Sequence, residues 1–79
     1  MLKELQTADR AVGLKQSVKK IRGGTAKKAF VAKNAAPEIT DEVVFECEKA
    51  GVPYEWASSM EELGRACGIE VGAAVAVVY

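Results

Sequence analysis

At 79 residues, with no histidine and two cysteines, the chain makes one small domain with little room for an enclosed active site and no ligand set for a structural zinc. A composition of 49% hydrophobic and 28% charged residues is that of a globular protein, not a disordered one. The formal net charge of zero hides a division: residues 10–37 carry eight cations and no acid, whereas residues 38–79 carry nine acids against Lys49 and Arg65.

Residues Leu2 to Ala8 suggest a short helix without a clear cap. Ala11 and Val12 read as a brief strand ending at Gly13. A helix is expected from Leu14 to Arg22, stopped by Gly23 and Gly24. The apolar run Ala29-Phe30-Val31-Ala32 reads as a buried strand, and Asn34 to Pro37 as a loop. Thr40 then offers a cap for a helix from Asp41 to Ala50, with Gly51 as its stop.

Pro53 to Ala57 reads as a further strand. Ser59 followed by Glu62 forms a capping-box signature for a helix ending near Cys67, stopped by Gly68. Ala73 to Val78 closes the chain as a small-residue, β-branched strand suited to a central place in a sheet. Helices and strands alternating with short connections predict one layered α/β domain over residues 1–79, with largely parallel strands.

Both cysteines, Cys47 and Cys67, fall on apolar helical positions and read as buried free thiols, which suits a reducing cytoplasm. Met1 to Arg10 has no apolar stretch of the signal-peptide kind, and Val71 to Tyr79 is too short to cross a bilayer. A soluble cytoplasmic protein with no membrane partner is expected. Phe30 and Phe45 are placed in the core, which leaves no aromatic pair as a stacking platform.

The basic segment departs from local electrostatic rules. The helix after Thr40 opens with Asp41 and Glu42 and closes with Lys49; that after Ser59 opens with Glu61 and Glu62 and closes with Arg65. Both complement the helix dipole, an effect of about 0.3–1 kcal/mol per charge. The Leu14 helix instead places Lys15 in its first turn, behind a glycine with no side chain to cap the leading N–H groups.

At about 100° per residue, Leu14, Val18 and Ile21 form its core stripe, and Lys15, Lys19 and Arg22 a second stripe beside it. Like charges four residues apart repel by roughly 0.2–0.5 kcal/mol. A bare cationic helix start is disfavoured locally and suits an anion. A solvated lysine face is the simpler reading, but the acid-free length favours a polyanion, with nucleic acid the commonest. A second candidate surface is the loop Gly68 to Ala74, whose Ile69 and Val71 either enter the core or cover an unstacked base.

Three stretches carry a family resemblance: Gly13-Leu14-Lys15-Gln16-Ser17-Val18-Lys19, Val31-Ala32-Lys33-Asn34-Ala35-Ala36-Pro37, and Leu63-Gly64-Arg65-Ala66-Cys67-Gly68-Ile69-Glu70-Val71-Gly72-Ala73-Ala74. Together they resemble the kink-turn-binding ribosomal proteins of the large-subunit seven-Ae and thirty-e type, and most of all their small bacterial paralogues. The resemblance implies a three-layer α/β/α sandwich around a four-stranded mixed sheet. It implies binding to RNA whose kinked duplex holds a bulge and tandem sheared G·A pairs, in ribosomal RNA, a riboswitch or another non-coding RNA, and an association with the ribosome.

By the same resemblance, Lys15 and Gln16 read guanine edges and Lys19 meets a base edge or phosphate. Ile69, Glu70, Val71, Gly72 and Ala73 pack on the extruded base, with Lys33 and Asn34 beside them. Gly13, Leu14 and Lys20 complete the expected RNA-binding set. Archaeal members carry Asn-Glu in place of Lys15-Gln16, and relatives often carry a basic residue near Glu61 and Glu62. No catalytic residue, metal or cofactor is expected, and a monomer is. A protein-interaction module using the acidic residues 38–79 is the alternative, and an enzyme the least favoured reading.

Overall fold

A computed structural model describes residues 9–79, so the helix expected over Leu2 to Ala8 lies outside the described residues. The elements follow in the order β1 (Arg10–Val12), α1 (Leu14–Arg22), β2 (Lys28–Ala32), α2 (Pro37–Ala50), β3 (Tyr54–Ala57), α3 (Met60–Ala66) and β4 (Val75–Val78). The four strands form one sheet in the order β1-β4-β2-β3.

The sheet is mixed, as the family resemblance implied, and not largely parallel as the alternation of elements suggested. Only β2 and β3 run parallel, whereas β4 lies antiparallel to both β1 and β2. The reason lies in the connections. The β2–α2–β3 crossover returns the chain to the same end of the sheet. The strap of residues after α3 instead runs back along that helix, so β4 enters from the opposite end.

Strand alternation builds two cores. Ala29 and Val31 of β2 join Val75 and Val77 of β4 under Val18 and Ile21 of α1 and Val43 and Cys47 of α2. Phe30, Ala32, Ala76 and Val78 point the other way, beneath Leu63 of α3 and Cys67 at its C-cap. Two helices thus cover one face and one covers the other, which is the three-layer α/β/α sandwich. β4, buried at all four positions, is the central strand its sequence suggested. The thiols of Cys47 and Cys67 are free and buried on opposite sides of the sheet.

The expected start of α2 is corrected. The helix begins four residues earlier, with Pro37 in its first turn and Ala36 at its N-cap, and Glu38 is its first-turn acid. Proline suits this place, because it has the helical φ and lacks an N–H that would be unpaired there anyway. Thr40 is no cap; its hydroxyl donates to the Pro37 carbonyl from inside the helix, 3.2 Å away. With the buried positions at Thr40, Val43, Glu46 and Cys47, Phe45 turns outward and is 61% exposed, not a core residue.

Among the described residues no helix is long and apolar enough to cross a membrane, and no group of His, Cys, Asp or Glu is placed to hold a metal ion.

Candidate nucleic-acid interface

The register of the sheet gathers the sequence's scattered candidates. Gly13 follows β1, and its N–H donates to the carbonyl of Val75, where β4 begins, at 2.9 Å. The Ala32 N–H, at the end of β2, donates to Ala74 at 2.9 Å, and the Lys33 N–H donates to Ala57, at the end of β3, at 2.9 Å. The start of α1, the Lys33–Asn34 turn and the Gly72–Ala73 end of the strap therefore lie along the strand-end edge of the sheet, where β1, β2 and β3 finish and β4 begins.

Gly13 is the N-cap of α1 with φ of 100° and ψ of 158°, a region that residues with a Cβ rarely occupy. No side chain caps the helix and its first turn holds no acid. The amides of Leu14, Lys15 and Gln16 lie before the first intrahelical bonds and face outward, beside the exposed side chains of Lys15 and Gln16. Leu14 is half-buried against the core, so its role is to seat the helix start. The last turn is ordinary: Lys19, Lys20 and Arg22 complement the dipole there, so the electrostatic anomaly is confined to Lys15.

Not every cation of the segment serves this edge. Arg22 forms an ion pair with Glu46 of α2 at 2.8 Å, which holds the Glu46 carboxyl below its ordinary range through that hydrogen bond. Arg10 donates from Nε to the carbonyl of Cys67, at 3.1 Å. Lys28 meets Glu55 at 2.7 Å. Lys20, expected among the RNA-binding residues, lies with its ammonium 4.1 Å from the Tyr79 ring centroid, beyond the far end of β4. The structure brings Lys15 and Lys33 to the edge with Lys19 one helical turn beyond, and leaves Lys20 apart.

The second surface is a strap clamped to α3. The Ile69 N–H donates to Gly64 at 3.1 Å and the Ala73 N–H to Met60 at 3.0 Å. Gly64 is buried, and a Cβ there would collide with the carbonyl of Val71. At Gly72 a Cβ would come within 3.1 Å of that of Met60. Two glycines thus let strap and helix touch along their backbones. Of the two readings of this loop, core entry belongs to buried Ala73 and half-buried Ala74; Ile69 and Val71 stand out at 37% and 71% exposure, with Glu70 and Gly72 also exposed. They border a shallow cleft with Glu61 and Arg65 of α3.

One side chain ties these parts together. Asn34 Oδ1 accepts from the Met60 N–H at 2.8 Å, so the β2–α2 turn caps α3, whose Met60 carbonyl in turn holds Ala73. Ser59 Oγ accepts from the Glu62 N–H at 3.0 Å, as its capping signature predicts. The reciprocal bond differs: Glu62 accepts from the hydroxyl and N–H of Ser58, not from Ser59, which lowers the pKa of the Glu62 carboxyl. Met60 and Gly64 were not among the sequence's candidates. The signal for Gly64 was present, since a glycine inside a short helix costs about 1 kcal/mol relative to alanine and calls for a packing reason.

Comparison with known proteins agrees with this architecture. An RNA-binding protein of Geobacillus sp. (strain WCH70) is 41% identical over 76 residues, which cover 96% of this chain and 93% of the relative. The RNA-binding protein YbxF of Geobacillus stearothermophilus is 36% identical over 76 residues, with the same coverage of 96% and 93%. Among solved structures, the 15.5kD RNA binding protein of Giardia lamblia superimposes with a TM-score of 0.85 at 32% identity, over 98% of this chain and 66% of that longer one. Residues 2–79 match the model of the ribosomal protein L7Ae/L30e/S12e/Gadd45 family, and the chain belongs to that family.

Proposed function

We propose that the chain is an RNA-binding protein that recognises kink-turns, a bulge flanked by tandem sheared G·A pairs, in structured RNA. The observation that carries this reading is the meeting of the bare α1 start, the Lys33–Asn34 turn and the glycine-clamped strap along the strand-end edge of the sheet. Family membership and relatives named as RNA-binding proteins support it.

An ordinary A-form duplex hides its base edges in a narrow groove, whereas a kinked and widened one exposes them. A short helix entering end-on offers outward amides and the Lys15 and Gln16 side chains to guanine edges, with Lys19 reaching an edge or phosphate. Ile69 and Val71, exposed on a rigid strap, would cover the extruded base, and Lys33 and Asn34 would meet the backbone between the two contacts. Zero net charge suits a protein that selects RNA by shape. Such a protein would act in the cytoplasm, as a single-domain monomer, on ribosomal RNA within or beside the ribosome, on a riboswitch or on another non-coding RNA.

The test is a kink-turn duplex with a fluorophore on each arm, titrated with the protein at a salt concentration where the free RNA stays extended. Saturable energy transfer is expected. Binding without any approach of the arms would refute kink recognition.

A further inference from the structure

The two phenylalanines offer no stacking platform, Phe30 being buried and Phe45 standing on the outward face of α2. The sheet makes an aromatic surface elsewhere. Tyr54 and Trp56 of β3 meet edge to face with ring centroids 6.1 Å apart, and Trp56 remains 43% exposed. The strand order leaves β3 at the side of the sheet, and among the described residues no strand pairs with its outer side. The indole is thus held by its neighbour and open to a ligand.

The strand register fixes which face the indole occupies and what lies beside it. Trp56 pairs with Val31, and Ala57 with Ala32, in the parallel β2–β3 ladder. Val31 packs under α1 and α2, so Trp56 stands on that face, whereas Ala32 and Ala57 are buried on the α3 face. The ladder continues through the Lys33 N–H, which donates to the Ala57 carbonyl at 2.9 Å. Alternation therefore brings exposed Lys33 to the Trp56 face, one strand spacing and one two-residue step away, roughly 8 Å between Cα atoms. Glu55 takes the opposite face with Phe30, its register partner, and pairs with Lys28 at 2.7 Å. On α2, uncharged Thr40 and Val44 form the flank towards β3, and Asp41 and Glu48 lie on the outward face. Of the charged residues on β2, β3 and the turn after β2, Lys33 alone shares the face of Trp56.

A scattered apolar side chain on a surface needs no ligand. This one differs in its setting: an open aromatic face, then a cation, then the strand-end edge that grips the RNA. We propose, resting on the kink-turn reading, that Trp56 stacks on a second unpaired nucleotide of the bulge while Lys33 meets its phosphate. The strap covers the first extruded base on the α3 face. The RNA strand leaving it passes the Lys33–Asn34 turn and delivers the next unpaired base to β3 on the other face of the sheet. Base–aromatic stacking accepts any base, because each has a π face. Trp56 thus adds affinity for an unpaired nucleotide whatever its identity, and widens the footprint beyond the α1 start and the strap.

Trp56 is the only tryptophan in the chain, so quenching of its emission reports stacking directly. The probes are a kink-turn hairpin with a three-nucleotide bulge and three versions of it, each with one bulge nucleotide made abasic. The intact hairpin should quench Trp56 saturably, and one abasic position should relieve the quenching and weaken binding about tenfold. Trp56→Ala should weaken the intact hairpin to the same degree and become indifferent to that abasic position, while Trp56→Phe keeps most of the affinity. Val71→Ala should instead be coupled to a different abasic position, the base under the strap. Absent quenching, quenching that no abasic position relieves, or losses in Trp56→Ala that simply add to every abasic loss would overturn the proposal, the last by making Trp56 a packing residue. Failure of kink recognition itself shows separately, as equal affinity for a hairpin whose sheared pairs are replaced by Watson–Crick pairs.

Discussion

The side-chain oxygen of Asn34 lies 2.8 Å from the backbone nitrogen of Met60, so a turn between β2 and α2 caps a helix that begins 26 residues later. Asn34→Ala removes this acceptor and leaves the Met60 amide unpaired, at a cost of about 1 kcal/mol. Asn34→Asp retains the acceptor but adds a negative charge at the proposed RNA edge. Chemical denaturation should show loss of stability for alanine and little for aspartate, whereas RNA titration should show weakened binding for both. A stable aspartate variant with full RNA affinity would move the interface away from Asn34.

Gly64→Ala places a methyl group against the carbonyl of Val71. Neither backbone can give way cheaply, so the strap must lift from α3, with an overpacking cost of about 1–3 kcal/mol. Amide exchange should accelerate across residues 69–73, and RNA affinity should fall by more than the stability loss explains. Unchanged exchange in the strap would show that it tolerates a wider separation.

The lysines of α1 should divide by position. Lys15→Ala and Lys19→Ala should each weaken kink-turn binding by about 1–3 kcal/mol, the range for a good side-chain contact to a base edge. Lys20→Ala, whose ammonium lies on the Tyr79 ring, should leave it nearly unchanged. With Lys15, Lys19 and Lys33 near the edge and Arg65 beside the strap among the described residues, log affinity should fall with log salt at a slope of about −4 or shallower. Equal losses at all three α1 lysines would indicate diffuse electrostatic binding.

Several of these distinctions were legible in the sequence and others were not. The bounds of α1 were, because Gly13 and Gly23 punctuate a clear apolar stripe, and so was the central place of β4. The start of α2 was hidden because Pro37 suits both a loop and a first helical turn, and Phe45 is on the surface because Val43 and Cys47 set the buried face of the helix. Strand directions were illegible to local reasoning, since the strap that reverses β4 depends on contacts of Gly64 and Gly72 with residues elsewhere. Charge counting found the basic segment, yet only the fold separates Lys15 from Arg22, which is held by Glu46, and from Lys20.

The buried thiols set an alkaline limit. Burial, with Glu46 and Glu48 nearby, pushes the Cys47 thiol up to about 11 from an ordinary 9.0. A folded-state value above the unfolded one favours folding fully below pH 9.0, and that contribution is lost as pH rises from there towards 11. Denaturant midpoints should therefore drop across this interval, and less so in Cys47→Ala after allowing for its cavity. At neutral pH both thiols should resist a disulfide reagent until the protein unfolds. Rapid labelling of the native protein would contradict their burial.

The central claim is that this edge recognises the geometry of a kink-turn and not RNA charge in general. The most direct measurement is the dissociation constant for a kink-turn hairpin set against that for the same hairpin with its sheared G·A pairs replaced by Watson–Crick pairs, at one fixed salt concentration. The account predicts a loss of at least about a hundredfold on replacement, within the range that separates specific from non-specific nucleic-acid binding. Equal affinity for the two hairpins would contradict it.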